Sequence, residues 1–233
     1  MTDDDMKDPR AIFQAEHRPE AEAANRRPIR ARRNRLMVRL AQSLVQRQVT
    51  PNQISQASVV FAALGLLFFW AASASGPIGQ GLLLVLAALT IQLRLLCNLL
   101  DGMVAVEGGT ATPSGAYWNE APDRAADLLL FWGAGLFAAA PALGLGVGAL
   151  ALITAWLREL GRAEGFAPDF RGPMAKPHRM AALTVAALLA AFLPVSTAGA
   201  TLMTWALWLI GAGVIATVAR RSITLLQHLE ARG

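Results

Sequence analysis

The sequence predicts an all-α polytopic membrane protein, with six transmembrane helices preceded by an amphipathic interfacial helix. Three observations lead there. The 233-residue chain is 55% hydrophobic and 16% charged, with a mean hydropathy of +0.42, too apolar for an ordinary soluble domain. Six apolar runs of about 20 residues each can cross a hydrocarbon core of roughly 30 Å. The connections between them alternate between charge-free and charge-rich.

Met1 to about Pro28 is polar and mixed in charge, a composition that predicts poor order. It lacks the short basic start and immediate apolar core of a signal peptide. The segment 1–34 ends in a dense run of arginines that begins at Arg26 and continues to Arg39. In 35–49, Leu36, Met37, Leu40, Ala41, Leu44 and Val45 recur at helical spacing, with Arg35, Arg39, Gln42, Gln46 and Arg47 opposite them. That pattern fits a helix lying in the headgroup region, as a plain anchor or as one wall of a lipid-access groove. Thr50-Pro51-Asn52 is a turn signal that ends it.

A six-helix membrane domain is expected over 50–221, followed by a tail at 222–233. The spans are placed at about Ile54–Ser73, Gly81–Val104, Pro122–Ala140, Leu143–Gly161, Arg179–Val195 and Ala200–Ala219, the fifth being the shortest. Ser73–Gly81, the stretch around Pro141 and Pro194–Thr201 carry no charge. The N-terminal segment, the stretch between the second and third runs, Arg158–Arg179 and the end from Arg220 carry nearly all of it. The positive-inside rule then puts both termini and the Asn98–Asp127 segment in the cytoplasm.

The net charge of +5 lies mostly outside the apolar runs. It fits an anionic leaflet or a phosphate-bearing substrate, and no nucleic-acid partner is expected. A single cysteine, Cys97, excludes an internal disulfide, and no Cys/His cluster points to zinc. His17 and His228 read as solvated, and Trp70, Trp132, Trp156, Trp205 and Trp208 mostly as lipid-facing or interfacial anchors.

Two polar clusters interrupt the apolar pattern. Asn98, Asp101, Gly102 and Ala105 are spaced as one helix face, and Gly115, Asn119, Asp123 and Asp127 as another. Carboxylate and amide oxygens from two such faces can hold a hard cation, and ionisable groups at membrane depth usually mark function. Arg94 shares the first stripe and needs a partner; its guanidinium suits a phosphate or a carboxylate. Glu120 follows Asn119 but points about 100° away on a helix. Arg158 and Arg162 lie one turn apart, and Arg171, Lys176, His178 and Arg179 flank a Gly-Pro turn. Arg158, Lys176 and Arg179 are candidate ligands for a phosphate or an acceptor head group, although basic flanks also serve topology alone.

The spacing from Asn98 to Asp123 resembles the signature of the CDP-alcohol phosphotransferase family, Asp-x2-Asp-Gly-x2-Ala-Arg-x8-Gly-x3-Asp-x3-Asp. Every interval matches. Asn98 stands for the first aspartate, Val106 for the arginine and Asn119 for the third aspartate, as in a divergent bacterial branch. Pro51-Asn52 ahead of six spans is also similar to that family.

The resemblance implies a membrane transferase. It would move a phosphoalcohol group, most simply phosphatidyl, from a CDP-linked lipid such as CDP-diacylglycerol to a small alcohol or phosphorylated alcohol, releasing CMP. It implies Mg²⁺ or Mn²⁺ held by Asp101 and Asp123, with Asn98 and Asn119 as further ligands; Asp127, one turn beyond Asp123 on the same face, offers a compensating carboxylate as a further metal ligand. Asp123 is also the expected base. Asn52, Asp101, Gly102, Ala105 and Gly115 would face the nucleotide, though Gly115 alone is better explained by tight packing. A homodimer in the inner membrane of a bacterium is implied as well. With two acids fewer at the signature positions, the site keeps enough charge for one ion, and the sequence leaves one ion or two open. The rival readings are a catalytically silent relative serving as a binding or scaffold subunit, and an ion-coupled transporter or channel.

Overall fold

The computed structural model describes residues 34–108, 114–193 and 196–232, apart from the side chains of Ala116, Asn119 and Ser196. The segment up to residue 33, with His17 and most of the arginine run, and the Asn119 side chain lie outside the described residues. The described residues form seven α-helices and no strand: α1 (Arg35–Gln46), α2 (Pro51–Ser73), α3 (Pro77–Glu107), α4 (Gly115–Phe137), α5 (Pro141–Ala163), α6 (Lys176–Ala191) and α7 (Ser196–Glu230).

Local chemistry explains the first boundaries. Asn34 caps α1, its side chain accepting from the Leu36 amide at 2.9 Å. At the start of α2, Thr50 Oγ1 accepts from the Gln53 amide at 3.3 Å and Gln53 Oε1 from the Thr50 amide at 2.9 Å. This reciprocal pair satisfies two otherwise orphaned N–H groups, with Pro51 pre-set for the first turn.

Four helices are long and apolar enough to cross a membrane: Pro51–Ser73, Pro77–Glu107, Pro141–Ala163 and Thr197–Glu230. The other two long helices differ for visible reasons. α6 has 16 residues, about 24 Å of rise. α4 carries Glu120, Asp123, Arg124 and Asp127. The sequence pattern started this third run at Pro122, but the helix begins at Gly115 with the proline inside it. Pro122 removes the N–H that would bond the Trp118 carbonyl. The helix continues through its charges because other helices supply partners for them. At the far end, α7 is helical to Glu230, through most of the expected tail.

The six long helices close into a ring. α2 packs on α3 and α4, α4 on α5, α5 on α7, α7 on α6, and α6 on α3. Their shared core includes Phe69, Leu84, Phe131, Met180, Leu183 and Leu207, all fully buried. Glycine allows close helix packing: a Cβ on Gly133 of α4 would fall 2.7 Å from the Leu66 Cα of α2. Trp70, Trp132, Trp156, Trp205 and Trp208 all face outward, between 37% and 71% exposed. α1 packs at one end of the ring, with Ala41 and its apolar neighbours on Leu100, Met103 and Val104 of α3 and on Ile54 of α2.

Successive long helices run in opposite directions, which gathers distant sequence at one end of the bundle. The first turns of α2, the last turns of α3, the first half of α4, the second half of α5, the start of α6 and the second half of α7 meet there. All charged residues of the six long helices belong to these portions.

Candidate active site

The two polar stripes face each other. Asn98 of α3 donates through Nδ2 to Asp123 Oδ1 of α4. Lys176, the first residue of α6, donates to the other oxygen of the same carboxylate. Arg94 approaches Asp123 Oδ1 at 3.4 Å and donates to the Asp123 backbone carbonyl at 3.0 Å. The Asp123 side chain remains 29% exposed, so it lies at the mouth of the site.

Asp101 sits deeper, at 7% exposure, one turn beyond Asn98 on α3. Ser55 of α2 donates its hydroxyl to Asp101 Oδ2 at 2.9 Å, and the Gly102 amide lies 2.6 Å from Oδ1. Both partners are neutral. No described cation pairs with Asp101, although Asp123 and Lys176 are within electrostatic reach.

Asp127, one turn beyond Asp123, is enclosed. Arg94 donates to Oδ1 at 2.6 Å, and Arg179 of α6 donates to Oδ2 through both Nε, at 3.1 Å, and Nη2. Arg179 Nη1 lies 3.3 Å from the Thr154 hydroxyl of α5. Ionised groups this deep must be paired, and here one carboxylate serves two guanidinium groups. Arg94 is fully buried and keeps two nitrogens, Nε and Nη1, without a hydrogen-bond partner.

Beside Asp123 a cleft opens between α4, α5, α6 and α7, lined by Glu120, Arg124, Arg158, Phe170, Lys176 and Arg221 among others. Glu120 accepts from Arg158 at 2.6 Å on both oxygens and from Arg124 at 2.6 Å. Arg221 of α7 donates to the Thr154 carbonyl at 2.6 Å and to the Arg171 carbonyl at 3.0 Å, fastening the α5–α6 loop over α7. Gly172, at φ +137°, makes the turn in that loop. On the loop surface, burial pulls the Asp169 carboxyl up, but hydrogen bonds from Arg171 outweigh it and hold the group below its ordinary range. The same pairing raises Arg171.

The sequence-derived candidates fall into place unevenly. Asn98, Asp101, Asp123 and Asp127 share one neighbourhood with Arg94, Lys176 and Arg179, and Arg158 borders it. Asn52 is half-buried one turn before Ser55 on α2, while Gly102, Ala105 and Gly115 are each partly exposed. Arg162 pairs with Glu159 at 2.9 Å on the rim instead of joining the cleft. Sequence reasoning missed Ser55, Thr154, Glu120 as the partner of Arg158, and Arg221. Two signals were available: Ser55 follows Asn52 at i+3, and Thr154 precedes Arg158 at i+4, so each shares a face with a residue already singled out.

Do these groups fit a divalent cation? No three His, Cys, Asp or Glu side chains converge among the described residues. Asp101 and Asp123 nevertheless offer hard oxygens, and a 180° turn of the Asn98 amide exchanges its nitrogen for its oxygen. Asp101, buried and without a cation of its own, is the group that most needs one. Asp101, Asp123 and a turned Asn98 are the oxygen donors that a hard ion at this place would use, and Asp123 would first have to give up Asn98 or Lys176.

No family model matches the chain, and no curated protein sequence matches it. Solved structures do. The fold resembles that of phosphatidylinositol phosphate synthase. The Mycobacterium tuberculosis enzyme with CDP-DAG bound aligns at a TM-score of 0.68 and 21% identity, covering 82% of this chain and 94% of that one. Its complex with manganese and citrate aligns at 0.67 and 21% identity, covering 82% and 88%. Its apo form aligns at 0.63 and 22% identity, covering 80% and 94%. At this identity the likeness is one of fold.

Proposed function

We propose that this protein is a membrane phosphatidyltransferase of the CDP-alcohol type, acting in phospholipid synthesis. It takes a phosphatidyl group from a CDP-linked lipid to an acceptor alcohol and releases CMP. The observation that carries the reading is the contact between Asn98 and Asp123, which joins the two motif-bearing stripes at the mouth of a basic cleft. The family signature and the fold shared with a synthase solved with CDP-DAG and with manganese support it.

In this reading Asp123 accepts the proton of the acceptor hydroxyl. That oxygen forms a bond to the outer phosphorus of the diphosphate, and the bond from this phosphorus to CMP breaks. Asp101 and Asp123 hold Mg²⁺ or Mn²⁺, with Asn98 and Asn119 as neutral ligands. The ion, when bound, neutralises the diphosphate and eases departure of CMP. Asp127 organises Arg94 and Arg179 instead of serving as a free ligand, because guanidinium nitrogens occupy both its oxygens. Gly102, Ala105 and Gly115, with Asn52, leave room for the nucleotide, and Arg158 and Lys176 face the acceptor.

The domain over 50–221 crosses the membrane six times, α4 and α6 included, since their charges are paired inside the ring. The helix within 35–49 lies in the headgroup region, with 1–34 and 222–233 as flanking segments. Both termini and the site face the cytoplasm of a bacterium, and the protein works as a homodimer. An ion path would spread charge through the depth of the bundle, whereas here the charges of the long helices gather at one end.

The test is CMP release from CDP-diacylglycerol by the purified protein in mixed micelles with Mg²⁺ or Mn²⁺, run against a panel of acceptor alcohols. Release that depends on both metal and acceptor is the expected result. No release, and no CMP exchange with any divalent ion, would leave the silent relative as the better reading.

A further inference from the structure

Glu120 puts an acid into the most basic part of the cleft. It reaches Arg158 of α5, whereas Asp123 on the same helix reaches Asn98 of α3 and Lys176 of α6. Arg158 Nη2 lies 2.6 Å from both Glu120 oxygens, and Arg124 Nη1 lies 2.6 Å from Oε2. One carboxylate thus sits between two guanidinium groups, as a bound anion would. All three side chains stay accessible, between 21% and 28% exposed. Arg158 has other supports: its Nε donates to Glu159 at 2.9 Å, and its guanidinium stands 5.6 Å from the Phe170 ring centre.

The cleft lining holds five cations, Arg124, Arg158, Lys176, Arg179 and Arg221, and three acids, Glu120, Asp123 and Asp127. The neighbouring Arg94 and Asp101 cancel, as do the rim pairs Arg162–Glu159 and Arg171–Asp169. With every acid ionised, the described site is doubly positive. That matches a phosphate monoester, which carries close to two negative charges at neutral pH. Most of the cations are already committed inside the fold. Arg179 serves Asp127, Lys176 serves Asp123, and Arg221 holds the Thr154 and Arg171 carbonyls. Arg124 and Arg158 are the two that share a partly exposed acid of the cleft.

We propose that Glu120 is an internal competitor, a carboxylate that occupies Arg124 and Arg158 until a phosphorylated acceptor displaces it. This rests on the transferase reading above and gives the acceptor its class: an alcohol that already carries a phosphate monoester. The phosphate takes the two guanidinium groups as Glu120 leaves them, and Asp123 lines the same cleft for the free hydroxyl. A neutral alcohol has nothing with which to displace the carboxylate. A carboxylate ligand brings no more charge than Glu120 itself, while a phosphate dianion brings twice as much. Glu120 therefore sets the charge an acceptor must carry.

The test is a calorimetric titration of the full-length protein in detergent with inorganic phosphate, and KM is measured in parallel for glycerol 3-phosphate and for CDP-diacylglycerol. Glu120→Gln tightens phosphate by roughly 3- to 10-fold, because a competing negative charge is gone. Glu120→Asp, which withdraws the carboxylate by one methylene, shifts affinity the same way by less. Arg158→Met weakens phosphate by more than about 10-fold, as loss of a charge-assisted contact requires. KM for glycerol 3-phosphate falls in Glu120→Gln by the same factor as the phosphate Kd, and KM for CDP-diacylglycerol does not follow. Equal or weaker phosphate binding in Glu120→Gln overturns the proposal, since Glu120 would then be organising the arginines instead of competing for them. A fall in KM for CDP-diacylglycerol alone overturns it too, because the two arginines would then belong to the donor. Either result leaves the transferase reading intact. Absence of CMP release with every acceptor overturns that reading and the acceptor class with it, while the phosphate titration still decides whether Glu120 competes for the arginines.

Discussion

The Ser55 hydroxyl donates to Asp101 Oδ2 at 2.9 Å, across 46 residues of sequence and from a different helix. Ser55 also lies 3.2 Å from the Pro51 carbonyl in the turn below, so its position is fixed by the start of α2. This ties the capped N-terminus of one helix to the metal-ligand candidate of the next. A hydrogen bond to a charged group contributes about 1.5–3 kcal/mol. Ser55→Ala is expected to weaken Mn²⁺ binding by roughly 10-fold or more, a loss in that energy range. Ser55→Thr should restore most of it. Unchanged Mn²⁺ affinity in Ser55→Ala would mean that Asp101 is oriented by something else.

Asp123→Asn removes the proposed base while keeping the shape and the hydrogen-bonding reach of the side chain. CMP release should fall by about 10²–10⁴-fold, the usual contribution of a positioned base. Thermal unfolding in detergent should move little, since the replaced group is 29% exposed and its neighbours can still bond an amide. Turnover close to wild type would remove Asp123 from that role.

Asp127→Ala has a different outcome. It leaves Arg94 and Arg179 buried without their shared carboxylate, and breaking a buried pair in this way costs about 3–5 kcal/mol. The variant should show a large loss of thermal stability, or fail to purify as a monodisperse species, before any question of activity arises. Asp127→Asn should be milder, as the amide oxygen can still accept. A variant as stable as wild type would show that the two arginines find other partners.

On the surface loop, the Asp169 carboxyl is held low by Arg171. A group depressed in the folded state stabilises it above the unfolded carboxylate value, about 3.9, and loses that contribution as pH falls through the lower folded value. A ¹³C carboxyl titration should therefore give Asp169 a midpoint below about 3.9. Arg171→Ala should move it upward. A midpoint indifferent to Arg171 would contradict the pairing.

Close packing gives the last prediction. Gly133→Ala sets a methyl 2.7 Å from the Leu66 Cα, a backbone atom that cannot step aside. Overpacking of this kind costs about 1–3 kcal/mol. Gly146→Ala is the control, because nothing lies within 4 Å of the added carbon. The first should lower the unfolding temperature, and the second should leave it unchanged or raise it slightly.

The sequence by itself determined the helical class, the spacing of the two polar stripes and the outward-facing tryptophans. These are local properties: periodicity, run length and turn chemistry act within a few residues of chain. It also brought Arg94, Lys176 and Arg179 forward as candidates, because isolated charges beside apolar runs are conspicuous. Their partners were not legible. Whether Lys176 meets Asp123 and Arg179 meets Asp127 depends on how α6 seats against α3 and α7 in the ring, which no local pattern encodes. The same holds for α4: an apolar window starts it at Pro122, yet partners on α3, α5 and α6 let it begin at Gly115 and keep its acids inside. Tertiary structure alone decided which carboxylate was left without a cation, because charge compensation is settled by distances between helices and not by the order of residues along any one of them.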